Sequence, residues 1–267
     1  MSAEPTLVRM QRDDRGVATV VLNRPQKHNA LSNLLIDALS ETLAQLASDP
    51  RVRVTVLTGE GPTFCAGGDI DEMRRSGGAT LADNEAEAAR LAALLARLEN
   101  HPKPTVARVQ GNAFGGALGL IAACDIAIGA ETAVFALSEV RLGIAPAMIS
   151  PYVVRAIGQR QAQRYFLTGE RFSAAAAERL GLLHQVVPAE RLDATVSEVT
   201  ADLLLGAPGA QAEIKRLLHH IAGRAESSDA QLTARTAQWI ARLRASPEGR
   251  EGLSSFMEKR PPSWRKP

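Results

Sequence analysis

The sequence predicts an α/β fold: a layered core over residues 1–200 and a helical region over 201–267, together one integrated domain of 267 residues. Three observations carry this reading. Runs rich in β-branched residues alternate with runs of helical period, a strand–glycine turn–helix order occurs at least twice before residue 130, and from Ser150 onward the pattern is almost wholly helical. No fixed-period repeat and no low-complexity linker divides the chain.

Thr6 to Gln11 and Val17 to Leu22 read as two strands joined by the turn Arg12–Gly16, and Asn23-Arg24-Pro25 breaks the second. Leu31, Leu34, Leu35, Ala38, Leu39, Leu43 and Leu46 then recur at helical spacing, with Ser32 placed as an N-cap and Asp49-Pro50 as a stop. Val52 to Thr58 is a strand and Gly59–Pro62 a loop. A second helical run through Leu91, Leu94, Leu95 and Leu98 ends at His101-Pro102-Lys103-Pro104. The strand Thr105–Val109 leads into a glycine-rich turn, a helical segment over 115–123 and the apolar strand Asp125–Ile128. Beyond residue 150, one short strand at Gln185–Val187 interrupts helices broken at Gly158, Gly169, Gly181, Pro188, Pro208 and Pro247.

Composition narrows the function classes. With 45% hydrophobic and 22% charged residues the chain is neither disordered nor fibrous. The balance of 31 Lys+Arg against 29 Asp+Glu gives no field that would favour nucleic acid or an anionic membrane as partner. The longest apolar run, Ala113–Ala130, carries four glycines and Asp125 and is short of the roughly 20 residues that span a bilayer, so it reads as core. Two cysteines make no disulfide framework and no four-ligand zinc site, and the histidines show no metal spacing. With a charged stretch over 1–16 in place of a leader, a cytoplasmic location is expected.

Most catalytic motifs are absent: no G-x-x-x-x-G-K-[ST], no G-x-S-x-G, no H-E-x-x-H, and no register of Gly111–Gly119 that gives G-x-G-x-x-G. What stands out are two glycine turns, Phe64–Ile70 and Gln110–Gly116, and one acid in apolar surroundings, Glu139. Glycine lets backbone N–H groups approach a ligand, and a turn that opens a helix leaves such groups free. The two turns either hold a developing oxyanion or are tight packing loops. Glu139 is either a general acid/base of raised pKa or the partner of Arg141, which shares its face if the chain there is extended.

At these residues the sequence resembles the crotonase family, also called the enoyl-CoA hydratase/isomerase family. The likeness runs through Val21–Leu31, Phe64–Ile70, Gly111–Gly116 with Ala122–Asp125, Leu137–Gly143, and Gly252 to Pro261. It implies a ClpP-like spiral of ββα units in two roughly perpendicular sheets, and C-terminal helices that assemble a homotrimer or dimer of trimers. It also implies an acyl-CoA thioester substrate, no metal, and no cofactor apart from the coenzyme A of the substrate. Carried over position by position, Gly68 and Gly116 would bind the thioester oxygen and Glu139 would be the acid/base. Gln26, Lys27, His28, Ala66, Asp69 and Ile70 would contact CoA, with Lys215 and Lys259 at its phosphates.

One position departs from the family pattern: Gly119 stands where crotonase-type hydratases carry a second glutamate. Bacterial methylglutaconyl-CoA hydratase-like members tend to share that glycine, and the segment Leu137–Pro151 is similar to theirs. The likeness implies hydration of the 2,3 double bond of a branched or glutaconyl-type enoyl-CoA such as 3-methylglutaconyl-CoA, a reaction of leucine degradation. Arg141 would then bind the free carboxylate of the acyl group. A Δ3,Δ2-enoyl-CoA isomerase using Glu139 alone, or a non-catalytic acyl-CoA-binding member, are the alternatives.

Overall fold

In the computed structural model, which describes residues 6–76, 78–222 and 246–265, the chain distributes its strands between two sheets. The larger contains β1 (Val8–Arg12), β2 (Val17–Leu22), β3 (Val54–Gly59), β5 (Thr105–Val109), β7 (Ile126–Ala130) and β10 (Gln185–Val187), in that spatial order. Every pairing but the β1–β2 hairpin is parallel. The smaller sheet orders β4 (Thr63–Cys65), β6 (Asn112–Phe114), β8 (Val134–Ala136) and β9 (Arg171–Ser173), each three residues long.

The winding follows from the alternation. Each of β3, β5 and β7 is followed closely by a short strand of the smaller sheet, and then by helix or 3₁₀ turn. This is the spiral of ββα units that the sequence implied. The strands of the large sheet carry β-branched side chains on both faces, so both must be covered. On one face, α1 (Asn33–Ser48) and α3 (Leu81–Glu99) press Leu35, Leu39 and Leu43 and Leu94, Leu95 and Leu98 into a core shared with Val20, Leu22 and Leu57. Ser32 caps α1 by accepting the Leu35 N–H. On the other face, Leu192 and Val196 of α8 (Leu192–Leu205) close over Val54, Val56, Val106 and Ile128. The boundary expected at 200/201 therefore falls inside a helix that belongs to the core.

The apolar run 113–130 is divided among β6, α4 (Gly116–Ala123) and β7. Among the described residues no helix is long and apolar enough to cross a membrane. The expected helical end is seen as α9 (Pro208–Ala222) and α10 (Pro247–Met257), each opened by proline; residues 223–245 lie outside the described residues. Glu248 of α10 accepts the N–H groups of Gly209 and Ala210, both at 3.1 Å, and so caps α9.

Lys215 fixes α9 to the sheet. Its side chain is 11% exposed and its ammonium lies 2.7 Å from Asp125, and that same carboxylate oxygen accepts the Thr105 N–H (2.7 Å) and hydroxyl (2.9 Å). This cluster sits where β5 and β7 begin. Removing one member of this half-buried pair strands its partner, so Asp125→Ala should lower stability by about 2–3 kcal/mol. The expected reading is a lower urea midpoint at unchanged slope; an unchanged midpoint would show that the pair does not hold α9.

Candidate active site

Both glycine turns leave the carboxyl ends of neighbouring strands, because β4 and β6 pair in parallel with Cys65 opposite Ala113. The first turn, 66–68, is braced by the loop 24–31. Ala66 N–H donates to His28 O (2.9 Å), Leu31 N–H to Gly67 O (2.7 Å), and Asp69 N–H to Leu31 O (3.1 Å). Leu31 and Gly68 thus form an isolated parallel bridge, in which Gly68 directs its own N–H away from Leu31. Fully buried Asn29, in the left-handed region at φ 55°, ties loop to loop: its amide donates to the carbonyls of Glu60 (3.0 Å), Thr63 (2.8 Å) and Phe64 (3.2 Å).

Asp69 ends the turn and caps α2 (Ile70–Ser76). Its carboxylate accepts the N–H groups of Asp71 (2.9 Å) and Glu72 (3.3 Å) and pairs with Arg24 at 2.5 Å. Burial raises its pKa, but the Arg24 guanidinium and the two amides outweigh burial and hold the carboxyl below the ordinary value. The side chain is turned inward, onto Arg24 and the first amides of α2.

In the second turn, Gly115 (φ 52°) donates its N–H to Ala136 O (2.9 Å), and α4 begins at Gly116. A residue that opens a helix has no intrahelical acceptor. Among the described residues, neither the Gly68 nor the Gly116 N–H has a partner. The turns touch: a Cβ on Gly67 (φ 86°) would lie 2.7 Å from the Phe114 carbonyl oxygen and 3.6 Å from Gly115 Cα.

Glu139 completes the group. It opens a 3₁₀ turn, Glu139–Leu142, and its Oε1 lies 3.1 Å from where a Cβ on Gly115 would stand. Its Oε2 is buried with no hydrogen-bond partner. Burial pushes its pKa up, and a hydrogen bond from its own N–H offsets only part of the rise. The 3₁₀ turn overturns the extended arrangement that would put Arg141 on the same face. No ion pair joins the two; Arg141 is exposed, with its Nε against the Gly169 turn. The volume above Gly119 is occupied: a Cβ there would lie 2.4 Å from Ile149 Cγ2. Cys65, also beside the turns, is no nucleophile, because burial pushes its thiol up to about 12.

Of the residues expected at CoA, the structure gathers Gln26, Lys27, His28, Ala66 and Ile70 around the first turn. Gln26, Lys27 and His28 are exposed and Ile70 is 71% exposed. Lys27 lies 3.0 Å from Asp71, and His28 Nδ1 lies 3.1 Å from Thr63 Oγ1. Lys215 is elsewhere: paired with Asp125 at the edge where β5 and β7 begin, it does not serve the turns of its own chain. Lys259 is exposed in the turn after α10. Arg24, Asn29 and Ile149 shape the site without having been singled out in the sequence. Asn29 alone left a trace there, as an asparagine suited to a left-handed position.

Two free N–H groups and a carboxylate with one unpartnered oxygen in one niche can polarise a carbonyl and move a proton beside it. A family model described as enoyl-CoA hydratase/isomerase matches residues 12–267. The chain belongs to that family. The crystal structure of an enoyl-CoA hydratase from Shewanella pealeana is similar to it with a TM-score of 0.93 and 42% identity, covering 97% of this chain and 96% of that one. The mevalonyl-coenzyme A hydratase of Aspergillus fumigatus is 34% identical over 93% of this chain and 91% of its own. The 2,3-dehydroadipyl-CoA hydratase of Escherichia coli is 32% identical over 93% and 95%. The crotonase fold and superfamily expected from the sequence are thus the ones found, and the chain is an enzyme of that superfamily.

The raised pKa of Glu139 makes a signed statement about stability. Folding favours its protonated form, so that contribution is full below the unfolded carboxylate value and is lost as pH rises through the folded pKa. Glu139→Gln should therefore raise Tm at pH 8 by about 2–4 °C, and the gain should vanish near about pH 4. Calorimetry at both pH values checks this; an equal gain at both would mean that the ionised carboxylate carries no burial penalty.

Proposed function

We propose that this chain is an enoyl-CoA hydratase that adds water across the 2,3 double bond of a branched or glutaconyl-type enoyl-CoA, with 3-methylglutaconyl-CoA as the expected substrate. The observation that carries the reading is the buried, unpartnered Oε2 of Glu139 beside the meeting point of the two turns. The thioester oxygen accepts hydrogen bonds from the N–H groups of Gly68 and Gly116, which stabilise the enolate charge that builds as C3 is attacked. Losing one such donor typically costs about 10²–10³ in rate. Glu139 takes a proton from water as the water oxygen bonds to C3, and then returns that proton to C2. Water is added with every proton accounted for, and both transfers occur on the face of the double bond that Glu139 occupies. A carboxyl whose pKa is raised towards the working pH suits this double duty.

In this reading the exposed residues Gln26, Lys27, His28 and Ile70, with Ala66, receive CoA, and the reaction is redox-neutral and uses no other cofactor. The relatives' names extend to a mevalonyl and a dehydroadipyl thioester, that is, to branched and dicarboxylic acyl groups. An exposed Arg141 two residues after the acid suits a carboxylate of that kind. The chain would assemble as a homotrimer or a dimer of trimers. Exposed Ile214 and Leu218 on α9, and Leu253 and Met257 on α10, each pair one helical turn apart, support such contacts. Lys259 would meet CoA phosphates across a subunit boundary.

A single carboxylate also suffices to carry a proton between C2 and C4 of a 3-enoyl-CoA, and the filled space above Gly119 favours testing that reaction too. The deciding assay offers purified protein crotonyl-CoA, 3-methylglutaconyl-CoA and a 3-enoyl-CoA, and follows the absorbance of the conjugated thioester. Loss of absorbance, fastest with the glutaconyl thioester, is expected. A gain with the 3-enoyl substrate alone would make the chain an isomerase, and binding without turnover would make it a binding protein. Glu139→Gln should lower kcat by about 10²–10⁴ with KM near normal. In the parent enzyme, kcat/KM should fall with acid at a pH above the ordinary carboxylate range, and a loss under fivefold in the variant would remove Glu139 from the chemistry. Arg141→Ala should reduce kcat/KM for the glutaconyl thioester about tenfold more than for crotonyl-CoA; equal losses would end its part in selection.

A further inference from the structure

Gly119 lies inside α4 with no left-handed torsion, so its backbone does not require glycine. Glycine within a helix costs about 0.5–1 kcal/mol against alanine. The reason for it is therefore to be sought in what surrounds it. An ideal Cβ at 119 would lie 2.4 Å from Ile149 Cγ2, 2.9 Å from Ile149 Cβ and 3.3 Å from Leu95 Cδ2. Changing the Ile149 rotamer moves Cγ2 but leaves Cβ in place, because that atom is fixed by the backbone. That backbone is anchored in turn: Ile149 is 2% exposed, precedes α5 (Ser150–Ile157), and its carbonyl accepts the N–H groups of Tyr152 (3.1 Å) and Val153 (3.0 Å). Its β-branch also limits the rotamers open to it.

We propose that Ile149 is a specificity-determining residue: it fills the volume over Gly119, bars every side chain from that position, and so confines the site to the single carboxylate of Glu139. Position 119 lies one helical turn beyond Gly116, where the free N–H stands. A second acid there would divide the two proton transfers between two groups; Ile149 keeps both on one. The packing lock stands on geometry alone, whereas its effect on proton transfer rests on the hydratase reading.

The test is a reversal of sign. In the parent protein, Gly119→Ala should overpack the contact and lower Tm by about 5 °C. In an Ile149→Gly background the same substitution should raise Tm, since it then partly fills a cavity and improves the helix. Should Ile149→Gly fail to fold, Ile149→Ala serves as the background: it lacks Cγ2 but keeps the Cβ at 2.9 Å, so there the loss of Tm caused by Gly119→Ala should shrink without changing sign. Gly119→Ala lowering Tm equally in both backgrounds, or lowering it in neither, would overturn the lock. The catalytic half is read from Gly119→Glu combined with Ile149→Gly: the pH profile of kcat/KM should gain a second ionisation, and Glu139→Gln in that background should cost at least tenfold less than in the parent. An unchanged profile in a folded, active double variant would overturn it. Loss of the sign reversal with normal parental turnover counts against the lock alone. A parent without hydratase turnover that still shows the reversal counts against the hydratase reading alone.

Discussion

Two backbones meet at the heart of this molecule. Gly67 approaches Phe114 and Gly115 so closely that a single added methyl would enter the Phe114 carbonyl. That contact sets how far apart the Gly68 and Gly116 N–H groups stand, and Glu139 reaches the same point by passing over Gly115. The contact is itself a product of topology. Parallel pairing of β4 with β6 makes both turns leave the smaller sheet in the same direction, and the Leu31–Gly68 bridge stops the first from swinging away. Fixed donors of this kind need no reorganisation when charge develops, which is where their advantage over water lies.

Around that contact, two poorly solvated carboxylates receive opposite treatment. Asp69 is given a guanidinium and two amides and stays ionised; Glu139 is given almost nothing, and burial raises its pKa. The first holds the turn in place, and the second is left with capacity to exchange a proton. Divergent environments for neighbouring acids are a mark of sites that divide structural from chemical work.

Much of this was legible in the sequence because the elements of the large sheet are long enough to show a pattern. Five- and six-residue strands rich in valine declare themselves, as does α1 with its Ser32 cap. The smaller sheet was not legible from the residues, since three-residue strands have no period, and it entered only through the family likeness. The glycines of the turns were visible; that they meet was one of two open readings until the family likeness favoured it, because the contact joins residues nearly fifty positions apart. Arg141 was placed beside Glu139 on the assumption of an extended chain, but Gly143 in the left-handed region closes a 3₁₀ turn there. Lys215 showed only as a cation on a helix, and its partner Asp125 lies 90 positions away. Long-range electrostatic pairing of that sort leaves no local trace.

The two thiols hold a practical consequence. Cys65 and Cys124 are the only cysteines in the chain; both are buried, and burial pushes each up to about 12. Native protein therefore offers almost no thiolate to an alkylating reagent, and a cysteine engineered onto the surface would be the one fast-reacting label site. Cys65 Sγ also accepts the Gly67 N–H at 3.4 Å, so modifying this buried thiol would disturb the first turn.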